Sequence, residues 1–326
     1  MKERYDYIDS IKGLAIMLVV MGHFLLWNMG APQDISQTNT TQLFKWIYSF
    51  HMPVFMFCSG FLFPKAYSYY KESGIKQIIG KRFRALIIPC VFAGAIAWIA
   101  YNEYYWFLVT LFEFCAIYLI VNKIGGGICR WQKKYDLVVN ILIAIVLYAL
   151  APIFQRVEHY PLLDLGHLSL YIYFCMGVFI RRYELVGKLQ KDWIYSVALF
   201  VITLLSVLIL MSKPLFHLGF LLPVAIVVAL LNIFQETKND RISERLRFYG
   251  KHSMEIYILQ YFFHIKLPVF ATSATVMSEA NSLGGLLIFQ VLVSLIATVA
   301  ICEACIAVAS IINRSKILSK LLLGKI

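Results

Sequence analysis

Lys12 and His23 stand eleven positions apart in the otherwise apolar stretch YIDSIKGLAIMLVVMGHF. At 100° per residue, eleven positions close three turns with 20° to spare, so on a helix the two side chains share a face. They then lie about 16 Å apart along the axis. Asp9, three residues before Lys12, extends the stripe toward the N-terminus. A cation at the mouth of such a track can receive an anionic group, and an imidazole deep along it can handle a proton. An uncharged imidazole activates a weak nucleophile such as a hydroxyl, typically 10²–10⁴-fold, or attacks in its own right. The competing reading makes His23 a hydrogen-bonding contact between helices; its shared face with Lys12 weighs against that.

His51, in SFHMPVFMFCSGF, falls at a matching depth if the second apolar run returns antiparallel to the first. It orients His23, binds substrate, or serves packing alone. His264 joins these two in the same half of the membrane, and His159, His167 and His217 fall near that surface. Ionisable groups inside a bilayer are costly and usually face a cavity, so this half is expected to enclose a polar chamber. Glu113 and Glu303 also fall within apolar runs, and paired helix contacts account for them more readily than catalysis does.

The elements that must position these residues are membrane helices. The chain is 60% hydrophobic and 15% charged over 326 residues, against roughly 45–50% and 25% for soluble domains. A spanning helix needs about 20 mostly apolar residues. Ten runs qualify, at 11–29, 45–63, 85–101, 104–122, 136–153, 165–180, 193–211, 216–234, 254–271 and 285–312. The expected fold is therefore an all-α bundle of about ten transmembrane helices forming one integral domain, 1–326. The first run has no small-residue cleavage site and reads as a retained helix.

With the N-terminus inside, the outer segments keep only Lys45, Arg156, Lys213 and Lys266 of the 30 Lys and Arg residues. That asymmetry puts both termini in the cytoplasm and makes the net charge of +12 a record of topology rather than of nucleic-acid binding. Cys302 and Cys305 have ligand-like spacing but lack a second ligand pair, so packing is expected and no metal site.

A second basic group lies on the inner side. In KQIIGKRFRALIIP, Lys81, Arg82 and Arg84 immediately precede the third run. Guanidinium groups suit phosphate oxygens, although such clusters also bind lipid headgroups or simply set topology.

Together these segments resemble the acyltransferase-3 family of integral membrane acyltransferases. YIDSIKGLAIMLVVMGH is similar to its opening motif, with a basic residue and a histidine separated by ten residues. HMPVFMFCSGFLF resembles its second-helix signature, and Lys81 with Arg84 its Arg-x-x-Arg motif. YYWFLVTLFEF and YGKHSMEIYILQ resemble its Trp-Phe-Leu helix and its late Gly-Lys-x-Ser segment. Three positions depart from the pattern: Lys12 and Lys81 replace arginines, and Gln260 stands where many members carry histidine, so no proton-transfer role is assigned to it.

The resemblance implies an acetyl-CoA donor on the cytoplasmic side and a hydroxyl acceptor on an extracytoplasmic or lipid-linked polysaccharide sugar, in the cell (inner or plasma) membrane. On that reading Lys12, Lys81, Arg82 and Arg84 hold the donor's phosphates, Asp9 orients Lys12, and His23 with His51 forms the catalytic pair. The acyl group either passes directly to the hydroxyl or rests first on His23. Trp27, Tyr104, Tyr105, Trp106 and Tyr160 are either sugar-stacking rings or an interfacial belt. Beyond acyl-CoA and glycan, the expected partners are membrane lipids.

Two other classes fit parts of the pattern. A proton-coupled transporter would use the intramembrane His and Glu residues but calls for an inverted repeat that the sequence does not clearly show. A non-catalytic subunit of a polysaccharide export complex leaves the Lys12–His23 stripe unexplained.

Overall fold

The computed structural model describes residues 5–28, 42–70, 74–101, 105–127, 133–154, 165–211, 216–236, 240–263 and 283–325. In chain order the α-helices are α1 (Asp6–Asn28), α2 (Gln42–Tyr48), α3 (His51–Tyr70), α4 (Ile75–Tyr101) and α5 (Trp106–Gly127). There follow α6 (Lys133–Ala149), α7 (Ala151–Phe154), α8 (Tyr171–Arg182), α9 (Val186–Leu189) and α10 (Asp192–Leu210). The last are α11 (Leu221–Glu236), α12 (Arg241–Lys251), α13 (Ser253–Leu259), α14 (Leu283–Ile312) and α15 (Lys316–Leu323). Short 3₁₀ turns at Leu165–Leu170, Phe216–Phe220 and Gln260–Phe263 lead into or out of helices, and there is no strand among the described residues.

Among the described residues, seven segments are long and apolar enough to cross a membrane: Asp6–Asn28, Leu43–Pro64, Ile75–Tyr101, Trp106–Ile124, Asp192–Leu210, Leu218–Glu236 and Leu287–Ile312. They match seven of the ten expected runs. The other three are built differently. The run at 136–153 is interrupted at Leu150 between α6 and α7, where Pro152 cannot donate to continue the ladder. The run at 165–180 spends its first turns as 3₁₀ before α8, and the run at 254–271 is helical only through α13 and the turn after it, the rest lying outside the described residues. A hydropathy window sees their apolar content but not the breaks.

Large apolar side chains face outward where a water-soluble protein would be polar. Val91, Ile96 and Ile99 on α4, Phe200 and Leu204 on α10, and Ile288, Leu292 and Ile296 on α14 are all exposed. Contiguous exposed apolar faces on this scale mark a lipid or partner surface, and their lengths fit a bilayer. The protein is a helical membrane protein.

The chain forms two compact units, Met1–Phe55 with Gly187–Ser310, and Met56–Val186 with Ile311–Ile326. In the first, α1 packs most intimately on α12, an amphipathic helix lying between two of the expected apolar runs. Ser243, Leu246, Tyr249 and Gly250 line its buried side, a helical spacing. A Cβ at Gly13 would stand 1.8 Å from the Leu246 carbonyl oxygen, and one at Gly250 would stand 1.8 Å from that of Asp9. Only glycine at both positions lets the backbones approach so closely. Ser10 Oγ donates to the Ser243 carbonyl (3.1 Å), and Arg247 pairs with Asp6 (3.0 Å).

Glu303 on α14 accepts from Tyr249 Oη (2.6 Å) and pairs with Arg245, as expected of a paired helix contact. Burial pushes the Tyr249 hydroxyl up to about 12, reinforced by its bond to Glu303, so it remains a donor at neutral pH. Farther along α14, Gln290, Ser294 and Thr298 form a buried stripe one turn apart. Cys302 and Cys305 are buried thiols that act as small apolar packing groups.

In the second unit, α3 and α8 cross where Gly60 abuts the Phe174 carbonyl and Gly177 abuts that of Phe57. Helix α15 starts at Ser315, whose hydroxyl accepts from Leu318 N (3.3 Å), and stops at Gly324 with φ 63°; it packs along α4. Asn140, fully buried, accepts from Tyr171 Oη (2.5 Å) and donates to Asn122 (3.2 Å), a satisfied polar contact between helices.

Candidate active site

Helix α1 runs unbroken through both Lys12 and His23, so the expected spacing along one face holds. Lys12 is half-buried and Asp9 buried. Asp9 presents its main-chain carbonyl to Gly250 on α12, which ties the start of the stripe to the tightest helix crossing in its unit.

His23 is half-buried, and its Nδ1 lies 3.2 Å from Gln260 Oε1. The Gln260 amide is fully buried, and its Nε2 donates to the Tyr257 carbonyl at 3.3 Å. A carbonyl can only accept, so this contact fixes which end of the amide faces the histidine. The oxygen faces His23, and Nδ1 must therefore carry the proton. In the neutral ring the lone pair then sits on Nε2. Tyr261 packs at 5.1 Å, ring centre to ring centre, on the same imidazole. Three consecutive pieces thus bear on one histidine: α12 anchors α1, α13 follows through His252, and the 3₁₀ turn after α13 delivers Gln260. From the sequence, Gln260 carries no expected proton-transfer role. The sequence marked it only as a departure from the family's histidine within the 254–271 run, and its partner lies 237 positions away.

His51 owes its place to a helix break. The second expected run is split into α2 and α3 at Ser49 and Phe50, whose backbone N–H groups still reach the Trp46 and Ile47 carbonyls (3.2 Å each). Ser49 Oγ donates to Trp46 O (2.6 Å) and His51 Nδ1 donates to Ile47 O (2.8 Å). His51 is buried, and its tautomer is fixed as that of His23 is, with the lone pair on Nε2. Tyr48 packs edge-on against His51 at 4.7 Å, and its ring touches Gly22, the residue before His23. The imidazoles of His51 and His23 lie within electrostatic reach of each other. Trp46 Nε1 donates to Ser206 Oγ (2.8 Å), which fixes α2 on α10.

The second unit holds Lys81, Arg82 and Arg84, all near the start of α4. Arg84 Nε returns to the Gly80 carbonyl (3.2 Å), Lys81 is half-buried, and the Arg82 guanidinium stands 5.7 Å over the Phe63 ring. Among the aromatic candidates, Tyr105 is fully buried and packs in the core rather than lining a surface. Trp106 is covered by the stacked imidazole of His167, 3.7 Å away, and Trp27 is half-buried. Tyr104, Tyr160, His159 and His264 lie outside the described residues, as does the side chain of His217. Glu113 sits half-buried on α5. No group of three or more His, Cys, Asp or Glu side chains able to hold a metal occurs among the described residues.

Residues 5–307 match the family profile described as an acyltransferase domain. The nodulation protein NolL of Mesorhizobium japonicum is 34% identical over 90 residues, covering 28% of this chain and 23% of that protein. NolL of Sinorhizobium fredii is 37% identical over 93 residues, covering 27% and 23% respectively. The aligned region thus spans about a quarter of each relative. No solved structure matches. The family profile covers nearly the whole chain, including the α1 stripe, the α2–α3 break and the turn bearing Gln260: the protein belongs to the acyltransferase-3 family.

Proposed function

We propose that the protein transfers an acyl group, acetyl foremost, from cytoplasmic acyl-CoA across the membrane to a hydroxyl of an extracytoplasmic or lipid-linked polysaccharide sugar. The observation that carries this reading is the Gln260–His23 pair at the far end of the Lys12 stripe. With Nδ1–H held by Gln260, Nε2 takes the proton of the acceptor hydroxyl as its oxygen attacks the thioester carbonyl. The tetrahedral intermediate expels the CoA thiolate, and the imidazolium returns its proton to that sulfur. Products are the sugar ester and free CoA thiol. His51, with its own lone pair on Nε2, receives the acceptor hydroxyl or steadies the imidazolium. Lys12 meets the donor, Asp9 orients it, and Lys81, Arg82 and Arg84 take phosphates.

An extended pantetheine arm, on the order of 16–20 Å, matches the reach from Lys12 to His23, so the acyl group crosses while CoA stays inside. The account also keeps about ten spans in the cell membrane, with both termini cytoplasmic. Support for the sidedness comes from the charge asymmetry and from the second unit, where the Arg82 end of α4 meets Phe63 on α3 and the Arg181 end of α8 meets Phe61.

The test is donor-dependent acetyl transfer by purified protein to a polysaccharide acceptor, followed as CoA thiol release. Thiol release that needs the acceptor supports the reading; proton-coupled substrate flux without ester formation would replace it with the transporter.

The role of Gln260 has its own expected outcome. Gln260→Leu removes the acceptor that fixes the His23 tautomer, so kcat falls by on the order of tenfold to a hundredfold. KM for acetyl-CoA stays near wild type. Gln260→Glu, which keeps a carbonyl-type acceptor, retains more activity than the leucine variant. Equal losses in both, or a change confined to KM, would remove Gln260 from the proton path.

A further inference from the structure

Three guanidinium groups gather in the second unit, and two of them were not among the expected donor-binding residues. Arg181 and Arg182 end α8. Arg181 stands over the Phe61 ring with its central carbon 5.7 Å from the ring centre. Arg182 lies within hydrogen-bonding reach of the buried Tyr118 hydroxyl on α5, which also faces Asn122. Tyr118 packs edge-on against Phe63 at 5.3 Å, and Phe63 carries Arg82 on its face. Arg82 and Arg182 therefore flank one aromatic pair, with Arg181 held on the ring two residues earlier in α3.

The ordinary reading of Arg181 and Arg182 is favourable charge at a helix C-terminus plus a topology signal. That reading does not account for the aromatic seats. A guanidinium laid against a ring face is fixed by cation–π attraction, while its in-plane N–H fork stays directed away from the ring. Arg82 and Arg181 are only half-buried, and Arg182 is exposed, so the forks can be reached from solution. Rigid guanidinium forks suit the oxygens of phosphate and diphosphate esters, which they bind bidentately. The α3–α8 crossing at Gly60 and Gly177 sets α8 against α3 and so fixes where Arg181 stands.

We propose that Arg181 and Arg182, with Arg82, form a binding site for organic phosphate anions, and that its ligand is the phosphate-bearing end of the acyl-CoA donor. This rests on the proposed transfer reaction and extends its donor site to α8. The same chemistry would hold an anionic lipid headgroup, and the experiment separates the two.

Wild type and the R181Q/R182Q variant are purified in neutral detergent without added lipid, and CoA, dephospho-CoA and pantetheine are titrated by calorimetry. The expected result is that wild type prefers CoA over pantetheine, and that this preference shrinks at least tenfold in the variant. The single substitution R182K, which keeps charge but loses the fork, falls between the two. A pure folding defect would weaken pantetheine and CoA alike and leave the preference intact, which overturns the proposal. So does an unchanged preference accompanied by loss of co-purifying phosphatidylglycerol, the mark of a lipid site. Failure of wild type to bind CoA at all overturns the donor assignment together with this site, whereas binding that is insensitive to Arg181 and Arg182 overturns this site alone.

Discussion

On the proposed reaction, replacing His23 with alanine is expected to abolish acetyl transfer while leaving folded protein in the membrane. No other described side chain combines this depth, the Lys12 face and a tautomer set by a buried amide. Loss of a general base costs typically 10²–10⁴-fold. A sugar hydroxyl is too weak a nucleophile for positioning alone to restore the rate. The ring is half-buried and bonds Gln260, so alanine there is expected to leave the helix folded. Turnover by purified H23A, measured beside its melting temperature, checks this. Activity within a fewfold of wild type would make the histidine a helix contact after all. Incubating wild type with labelled acetyl-CoA and no acceptor adds a second readout. Label trapped on His23 favours a covalent route, and its absence with normal turnover favours direct transfer.

Gly250→Val is expected to be the most damaging substitution outside the reactive residues. The new Cβ alone would stand 1.8 Å from the Asp9 carbonyl oxygen and 3.0 Å from Gly13 N. Both are backbone atoms, so relief requires α1 and α12 to separate rather than a side chain to turn. Overpacking of this kind costs typically 1–3 kcal/mol or more, which corresponds to a fall in Tm of roughly 5 °C or more. Separation also carries the Asp9–Lys12 end of the stripe away from the segment that leads to Gln260, so residual folded protein should be nearly inactive. Gly80→Ala is the control. A Cβ there meets nothing within 4 Å, and alanine suits a helix interior better than glycine, so its Tm should hold or rise slightly. Equal melting temperatures for Gly250→Val and wild type would mean that the close α1–α12 crossing is not part of the folded protein.

How much of this could be read from the chain depends on whether a feature is local. The α1 stripe is local: helix periodicity alone fixes the relation of Lys12 to His23, and the helix is continuous through both. The apolar runs are also local, and among the described residues seven of them coincide with helical segments of spanning length. Features that depend on partners far along the chain were hidden. Helix α12 is rich in charge, so it forms no apolar run, although its buried residues repeat at helical spacing. Gln260 gains its meaning only from His23, and Arg181 and Arg182 gain theirs from Phe61 and Tyr118. The α2–α3 break falls inside an unbroken apolar run; Ser49 and His51 beside it were the only polar signal, and their side chains add second bonds to the Trp46 and Ile47 carbonyls. Tyr105 erred the other way. Its neighbours suggested an interface, whereas it packs in the core beside Gly94.

The central claim is that the acyl group crosses the membrane while CoA does not, and proteoliposomes test it directly. Purified protein is reconstituted in both orientations, an oligosaccharide acceptor is sealed inside, and acetyl-CoA carrying separate labels on acetyl and adenine is added outside. Molecules with their donor site outward should deposit acetyl label on the enclosed acceptor while the adenine label stays in the external buffer, and H23A vesicles should deposit none. Adenine label entering with the acetyl group, or ester formed only when donor and acceptor share a compartment, would contradict the account.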